Sequence, residues 1–276
     1  MGTSDVNKDV NQQESLSLEA VLTWHLEAGV DETVGEDAQN RFAEKPPAPV
    51  VPEVETSQIP GAKQSTSSVP SVNGDAAVQS AYTLAAAANT VAELRDALES
   101  FDGCPLKKTA TNLVFGDGSD AARVVFIGEG PGAEEDRQGI PFVGPSGKLL
   151  DRMLASINVQ RSDVYISNTV FWRPPGNRSP TTQEIAACMP FVERLIEIID
   201  PDILVTVGGP AAVSLLGETQ GVGRLRGKWF SYSTARLPAP IQATALFHPA
   251  YLLRTPARKR EAWRDMLAIK AKLISD

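Results

Sequence analysis

Four short, almost uninterrupted apolar runs constrain the fold of this chain more than any other feature. They lie at 122–127, 164–167, 203–207 and 243–247. The intervals between and after them hold helix-length stretches at 145–156, 181–199 and 210–216. A strand that is apolar at nearly every position has both faces buried, and such strands alternating with helices belong to parallel sheets covered on both sides. The expected fold class is therefore α/β: an open, mainly parallel four-stranded sheet flanked by helices on both faces, a three-layer αβα arrangement. Thr90 is expected to cap a helix over 91–98. A last helix over 256–274 closes the domain, with Trp263, Met266, Leu267, Ile269, Lys270 and Leu273 towards one side.

The first eighty residues read differently. Residues 1–43 form an acidic arm with a short amphipathic pattern at 15–30, carrying Leu16, Leu18, Val21, Leu22, Trp24, Leu26 and Val30. Trp24 suggests that the arm docks on its own domain or on a protein partner. His25, in the same arm, is read as a packing or surface residue. Residues 44–82 are rich in Pro, Ser, Val and Gln without usable periodicity, and are expected to be a disordered linker. The globular domain is then 83–276.

The net charge of −8 argues at first sight against nucleic acid, but its distribution reverses that argument. Residues 1–60 carry twelve Asp/Glu against three Lys/Arg, a net of −9 that leaves the rest of the chain at +1. Arg254, Arg258, Lys259, Arg260 and Arg264 gather near the end, enough for a modest phosphate contact. No apolar run is long enough to cross a membrane, and Met1-Gly2-Thr3-Ser4-Asp5 does not begin a secretory signal. Two cysteines, Cys104 and Cys188, make no disulfide framework. The expectation is a cytoplasmic protein, monomeric and without a membrane partner.

Ligands of open parallel sheets bind beyond the carboxyl ends of the strands. Here the first run ends at Gly128-Glu129-Gly130-Pro131-Gly132, the second at Asn168, the third at Gly208-Gly209 and the fourth at His248. Alone, an Asn after a strand is an ordinary turn residue and a His an ordinary packing residue. Four ends on one rim make a site. The first loop also fits a loose dinucleotide fingerprint, Gly128-x-Gly130-x-x-Ala133. However, Pro131 has no N–H to offer a pyrophosphate, and the acidic residue expected about twenty positions on falls near Asp151, inside a helix.

The segments GEGPGAEEDRQGIPFVG, SNTVFWRPPGNRSP, LVTVGGPAA and FHPAYLLR occur in that order. Through them the stretch from about Phe101 to Lys272 resembles the type-4 uracil-DNA glycosylases of the uracil-DNA glycosylase superfamily. Residues 1–90 fall outside the resemblance. It implies a monofunctional enzyme that flips uracil out of DNA and hydrolyses its N-glycosidic bond, leaving an abasic site for base-excision repair. It also implies the roles. Glu129 and His248 would be catalytic: Glu129 orients the water and favours the cationic sugar, and His248 donates to uracil O2. Phe142 would stack on the flipped ring, Asn168 would read its O4 and N3–H, and the backbone near Gly130 and Gly132 would assist the leaving anion. An amide that offers N–H to O4 and carbonyl to N3–H meets the reverse pattern in cytosine. Leu252, Leu253 and Arg254 would enter the gap left by the base, and Lys259, Arg260, Arg173 and Arg178 would hold phosphates. Glu135, Asp136 and Arg137 also match, as residues that cap and brace the first loop.

Two departures stand out. Relatives of this type bind a [4Fe-4S] cluster through four cysteines. Here Cys104 and Cys188 keep two positions, whereas Phe101 and Trp172 take the others. Two thiolates are too few, so no cofactor is expected and the two thiols should lie together, buried. In the family-1 branch a Tyr blocks the thymine methyl, and here that place is Gly132. No insertion between Gly227 and His248 resembles the covalent-trapping branch, so ordinary turnover is expected. Two other readings remain at this point: a catalytically weak or inactive binder of damaged DNA with the same fold, and a nucleotide-binding regulatory protein.

Overall fold

The computed structural model of the chain describes residues 72–275. The acidic arm and residues 44–71 of the expected linker lie outside the described residues. Among the described residues a single sheet has the strand order β1-β3-β2-β4-β6-β5. Its four central members are β2 (Val124–Gly128), β3 (Tyr165–Asn168), β4 (Ile203–Val207) and β6 (Ile241–Leu246), all parallel to one another. These are the four apolar runs, displaced by one or two residues at some ends. Two further strands cap the edges antiparallel: β1 (Asp117–Gly118) on β3 and β5 (Trp229–Tyr232) on β6. The sheet therefore has six strands, not four. Neither edge strand carries a continuous apolar run, because only the central strands are buried on both faces.

Successive side chains of a strand point to opposite faces, and the core divides accordingly. Val125 and Ile127 belong to one apolar cluster, Val124 and Phe126 to another. The first cluster is closed by α1 (Val72–Ala87), α2 (Val91–Ser100) and α5 (Thr182–Ile199). The second is closed by α4 (Pro145–Ser156), α8 (Pro249–Arg254) and α9 (Lys259–Ser275). Shorter helices α3 (Ala133–Gln138), α6 (Gly209–Leu216) and α7 (Val222–Leu225) complete the layers.

Helix boundaries follow local chemistry. Thr90 accepts the Glu93 N–H at the start of α2. Thr181 and Glu184 cap α5 reciprocally, satisfying two of its otherwise orphaned N–H groups. Two expectations are corrected here. The linker assigned to 44–82 is helical from Val72, because its alanines favour helix and Ala81 and Ala85 bury against the α5 layer. The closing helix buries Ala262, Asp265, Met266 and Ile269, whereas Trp263 and Leu267 are 43% and 42% exposed. A 3.6-residue period sets those two off from the buried stripe of Ala262, Met266 and Ile269. No described helix is long and apolar enough to cross a membrane.

The order of the strands fixes the site. From β2 the chain crosses to β3 on one side, then to β4 on the other. Loops that leave the carboxyl ends on either side of such a reversal diverge and open a crevice between them.

Candidate active site

All four strand ends reach one cleft of about 690 Å³. Its walls include Glu129, Gly130, Gly132, Phe142, Asn168, Gly208, His248 and Arg254. The register between β2 and β3 pairs Gly128 with Asn168, so the first loop and the Asn leave the sheet side by side. Thr169 tightens this edge: its N–H donates to Gly128 O at 2.9 Å and its hydroxyl to Glu129 O at 2.6 Å. The Glu129 backbone is therefore held from the neighbouring strand.

Asn168 is 1% exposed, and neither Nδ2 nor Oδ1 has a hydrogen-bond partner within the protein. A buried carboxamide is normally satisfied, since each lost bond costs about 1–3 kcal/mol. Here both ends of the amide remain available to a ligand. Phe142 lies against it. A Cβ on Gly128 would fall 2.5 Å from Asn168 Oδ1 and 2.7 Å from Phe142 Cζ, so both side chains converge over that glycine. Phe142 has φ +52°, a left-handed conformation that costs an aromatic residue about 1–2 kcal/mol. Its ring is directed inward, 5.7 Å from the imidazole of His248.

His248 follows β6 and is the N-cap of α8. The Ala250 N–H donates to His248 Nδ1 at 3.1 Å. Burial pushes the imidazole down, the Arg254 cation lowers it further and Glu135 opposes both, which together leave it at about 4. The ring is thus neutral near pH 7 with Nδ1 occupied as an acceptor, which puts its proton on Nε2. Gly208, at φ +96°, lets the ring approach: a Cβ there would lie 3.3 Å from His248 Cβ.

Glu129 brings the site its carboxylate, and its Oε1 is buried without a partner. Three unsatisfied atoms in one crevice, on Glu129 and Asn168, account for every buried orphan side-chain atom among the described residues. Gly132 does not present a spare donor, because its N–H donates to Glu135 Oε2 at 3.1 Å. The other oxygen of Glu135 accepts from Val143 and Gly144 N–H, each at 3.0 Å. Glu135 therefore ties the first loop to the segment that carries Phe142. Its Oε2 also sits 2.8 Å from where a Gly132 Cβ would be, filling the space that a larger side chain would take. Asp136 braces the same loop by accepting from the N–H groups of Thr111 and Asn112.

The residues expected on the DNA surface divide. Leu253 is exposed, and so are Arg254, Lys259 and Arg260. Leu252 is fully buried in the core beneath α8, so it cannot reach DNA. Adjacent residues of a helix face different ways, and only one of two neighbouring leucines can point outward. Arg178 lines the cleft but is forked onto Glu184 at 2.7 and 2.8 Å, and Arg173 donates to Asn177 at 2.7 Å. Thr169 carries no signal in the sequence that would have found it: it directly follows a strand and shows no distinguishing local pattern.

The four positions that the resemblance assigns to a cluster all belong to one buried apolar core. Cys104 and Cys188 are buried and their thiols are hydrogen-bonded to each other. That bond and burial push the Cys188 thiol up, so it stays protonated. Phe101 packs on Phe191 with centroids 5.2 Å apart, and Trp172 meets Phe171 edge to face. Aromatic carbon supplies no ligand, and among the described residues no group of three or more His, Cys, Asp or Glu is placed to hold a metal. These residues do not fit a four-iron cluster.

Comparison with known proteins agrees with the geometry. The sequence model of the uracil DNA glycosylase superfamily matches residues 115–267. A type-4 uracil-DNA glycosylase of Archaeoglobus fulgidus is 41% identical over 170 residues, 60% of this chain and 84% of that protein. The protein of the same name from Thermotoga maritima is 44% identical over 165 residues, 59% of this chain and 82% of its own. That from Saccharolobus solfataricus is 36% identical over 187 residues, 66% and 86% of the two chains. The matched residues span the whole sheet and every strand end that opens into the cleft, and on that extent the chain belongs to the uracil DNA glycosylase superfamily.

Proposed function

We propose that this protein is a monofunctional uracil-DNA glycosylase, releasing uracil from DNA and leaving an abasic site. The observation that carries this reading is the buried, unpaired carboxamide of Asn168 beside the Phe142 ring. An extruded pyrimidine has two flat faces and one hydrogen-bonding edge. Phe142 receives a face, and such stacking is worth about 1–3 kcal/mol per base. Asn168 receives the edge, with Nδ2–H to O4 and Oδ1 from N3–H. Cytosine would present a donor to a donor and an acceptor to an acceptor. This gain offsets unstacking, which costs a few kcal/mol.

Cleavage then follows from charge. The N1–C1′ bond breaks with its electron pair moving onto uracil, spread towards O2, while the sugar becomes cationic. His248 Nε2–H donates to O2 and stabilises the departing anion; the neutral ring carries its proton there because Nδ1 already accepts from Ala250. A preorganised donor of this kind is worth about 10²–10³ in rate. Glu129 orients the water that attacks C1′ and favours the cationic sugar, and the proton which that water gives up passes to the carboxylate and ends on the uracil anion, giving neutral uracil and a C1′ hydroxyl. The backbone at Gly130 lies beside the same path. Leu253 would enter the vacated stack, with Arg254, Lys259 and Arg260 on the phosphates. The Glu135 carboxylate, standing where the family-1 branch has its Tyr side chain, supports exclusion of the thymine methyl. Where relatives hold iron, we infer that the Phe101–Phe191 and Phe171–Trp172 packing closes the fold instead.

The test uses the full chain with a uracil-containing oligonucleotide, followed by alkali. The reading expects strand scission from the parent and its loss in His248→Ala and Asn168→Asp. Tight binding without scission would make the protein a damage binder instead. Scission that persists undiminished in both variants would reject this site.

A further inference from the structure

We propose that Arg161 is the positioning residue that holds the aromatic platform Phe142 in its working conformation; this rests on the reading of Phe142 as the surface that receives the flipped base. Phe142 is held at φ +52°, a conformation that an aromatic residue does not keep unless its surroundings impose it. One guanidinium grips this turn at two points. Arg161 Nη2 donates to Pro141 O at 2.6 Å and Nη1 to Phe142 O at 3.1 Å, so the fork grips the carbonyls on both sides of the strained φ. The fork is itself fixed. Nε donates to Asp117 on β1 at 2.6 Å and Nη1 to Asp151 on α4 at 3.1 Å. Both carboxylates are partly exposed, while the Arg161 side chain is only 23% exposed.

Two further features show that the backbone is tailored to this grip. A Cβ on Gly147 would lie 1.7 Å from Phe142 O, so the first turn of α4 must be bare to admit the carbonyl that Arg161 holds. On the other side of Phe142, Glu135 fixes the Val143 and Gly144 N–H groups. Arginine and glutamate thus hold the segment at carbonyls and amides respectively, on the two sides of the ring. A lysine could supply charge at position 161 but not a planar fork that reaches two carbonyls at once.

Arg161 touches neither the cleft nor, on this account, DNA. Its effect should therefore pass entirely through Phe142. The test is a double-mutant cycle with Arg161→Met and Phe142→Ala, alone and combined, measuring single-turnover uracil release. Arg161→Met should slow release about 10- to 100-fold in the parent, the usual cost of a misplaced group, and have little effect once Phe142 is Ala. Arg161→Lys should recover part of the rate. Affinity for a uracil-free oligonucleotide should not change. Equal losses in both backgrounds would overturn the proposal and leave Arg161 a general stabiliser. So would an Arg161→Met variant with parental rates.

A second readout does not need activity. With 4-fluorophenylalanine placed at position 142 alone, the fluorine resonance should be single and narrow in the parent, and should shift or divide in Arg161→Met. An unchanged resonance would overturn the proposal. A parent that releases no uracil would instead reject the proposed function, and the fluorine spectrum would still decide whether Arg161 orders the ring.

Discussion

Replacing Asn168 with Ala should make the protein more stable and much less active. The carboxamide is 1% exposed with both polar atoms unpartnered. Each such atom costs about 1–3 kcal/mol in the unliganded protein. Truncation removes both penalties and forfeits dispersion contacts with the neighbouring Phe142 ring, on the order of 1 kcal/mol. The balance favours the variant by about 1–5 kcal/mol, and in a domain of this size each kcal/mol raises Tm by about 2–4 °C. Activity should move the other way, falling by about 10²-fold or more, because O4 and N3–H of the base lose their side-chain partner. Calorimetric unfolding and single-turnover uracil release on the same preparations test both halves. A lower Tm with activity near that of the parent would refute the reasoning, since it would mean that the amide is satisfied internally and serves the fold.

The other predictions concern pH, salt and iron. The His248 imidazole is neutral down to about 4, so uracil release should show no inflection near pH 6.5 from this group and should fall only as pH approaches that lower value. Because the unfolded state takes up this proton near pH 6.5 and the folded state only near 4, the contribution to stability is present above pH 6.5 and is lost as pH falls towards 4. The loss is about 3 kcal/mol at most and should be absent in His248→Ala, as acid titration of urea midpoints would show. Lys259→Ala and Arg260→Ala should weaken DNA binding alike for uracil-containing and uracil-free strands, each reducing the slope of log affinity against log salt by about 0.9. Protein purified from iron-replete cells should lack the broad visible absorbance near about 400 nm and contain well below the roughly four irons per chain of a full cluster.

The central sheet was legible because its strands are buried on both faces, which writes itself into sequence as runs such as Val-Val-Phe-Ile and Ile-Leu-Val-Thr-Val. Strands β1 and β5 were not, since an edge strand of two or four residues with mixed burial has no pattern to separate it from a loop. Helix α1 was hidden for another reason. Its alanines bury against α5, a residue set more than a hundred positions away, and alanine alone does not announce a packed face. Within the site, the strand-end rule located Asn168 and His248, but Phe142 was drawn from family resemblance. What resemblance could not supply was electrostatic and conformational detail: the tautomer fixed by Ala250, the commitment of the Gly132 N–H to Glu135, and the burial of Leu252 beside an exposed Leu253. Each depends on side-chain direction, which sequence spacing leaves undetermined.

The account is tested most directly by a crystal structure of the protein with uracil bound after cleavage of a short oligonucleotide. It predicts the pyrimidine ring lying on Phe142, with O4 and N3–H on the Asn168 amide and O2 within hydrogen-bond reach of His248 Nε2. A ring seated elsewhere in the cleft, or one turned so that His248 faces O4 and Asn168 faces nothing, would contradict it.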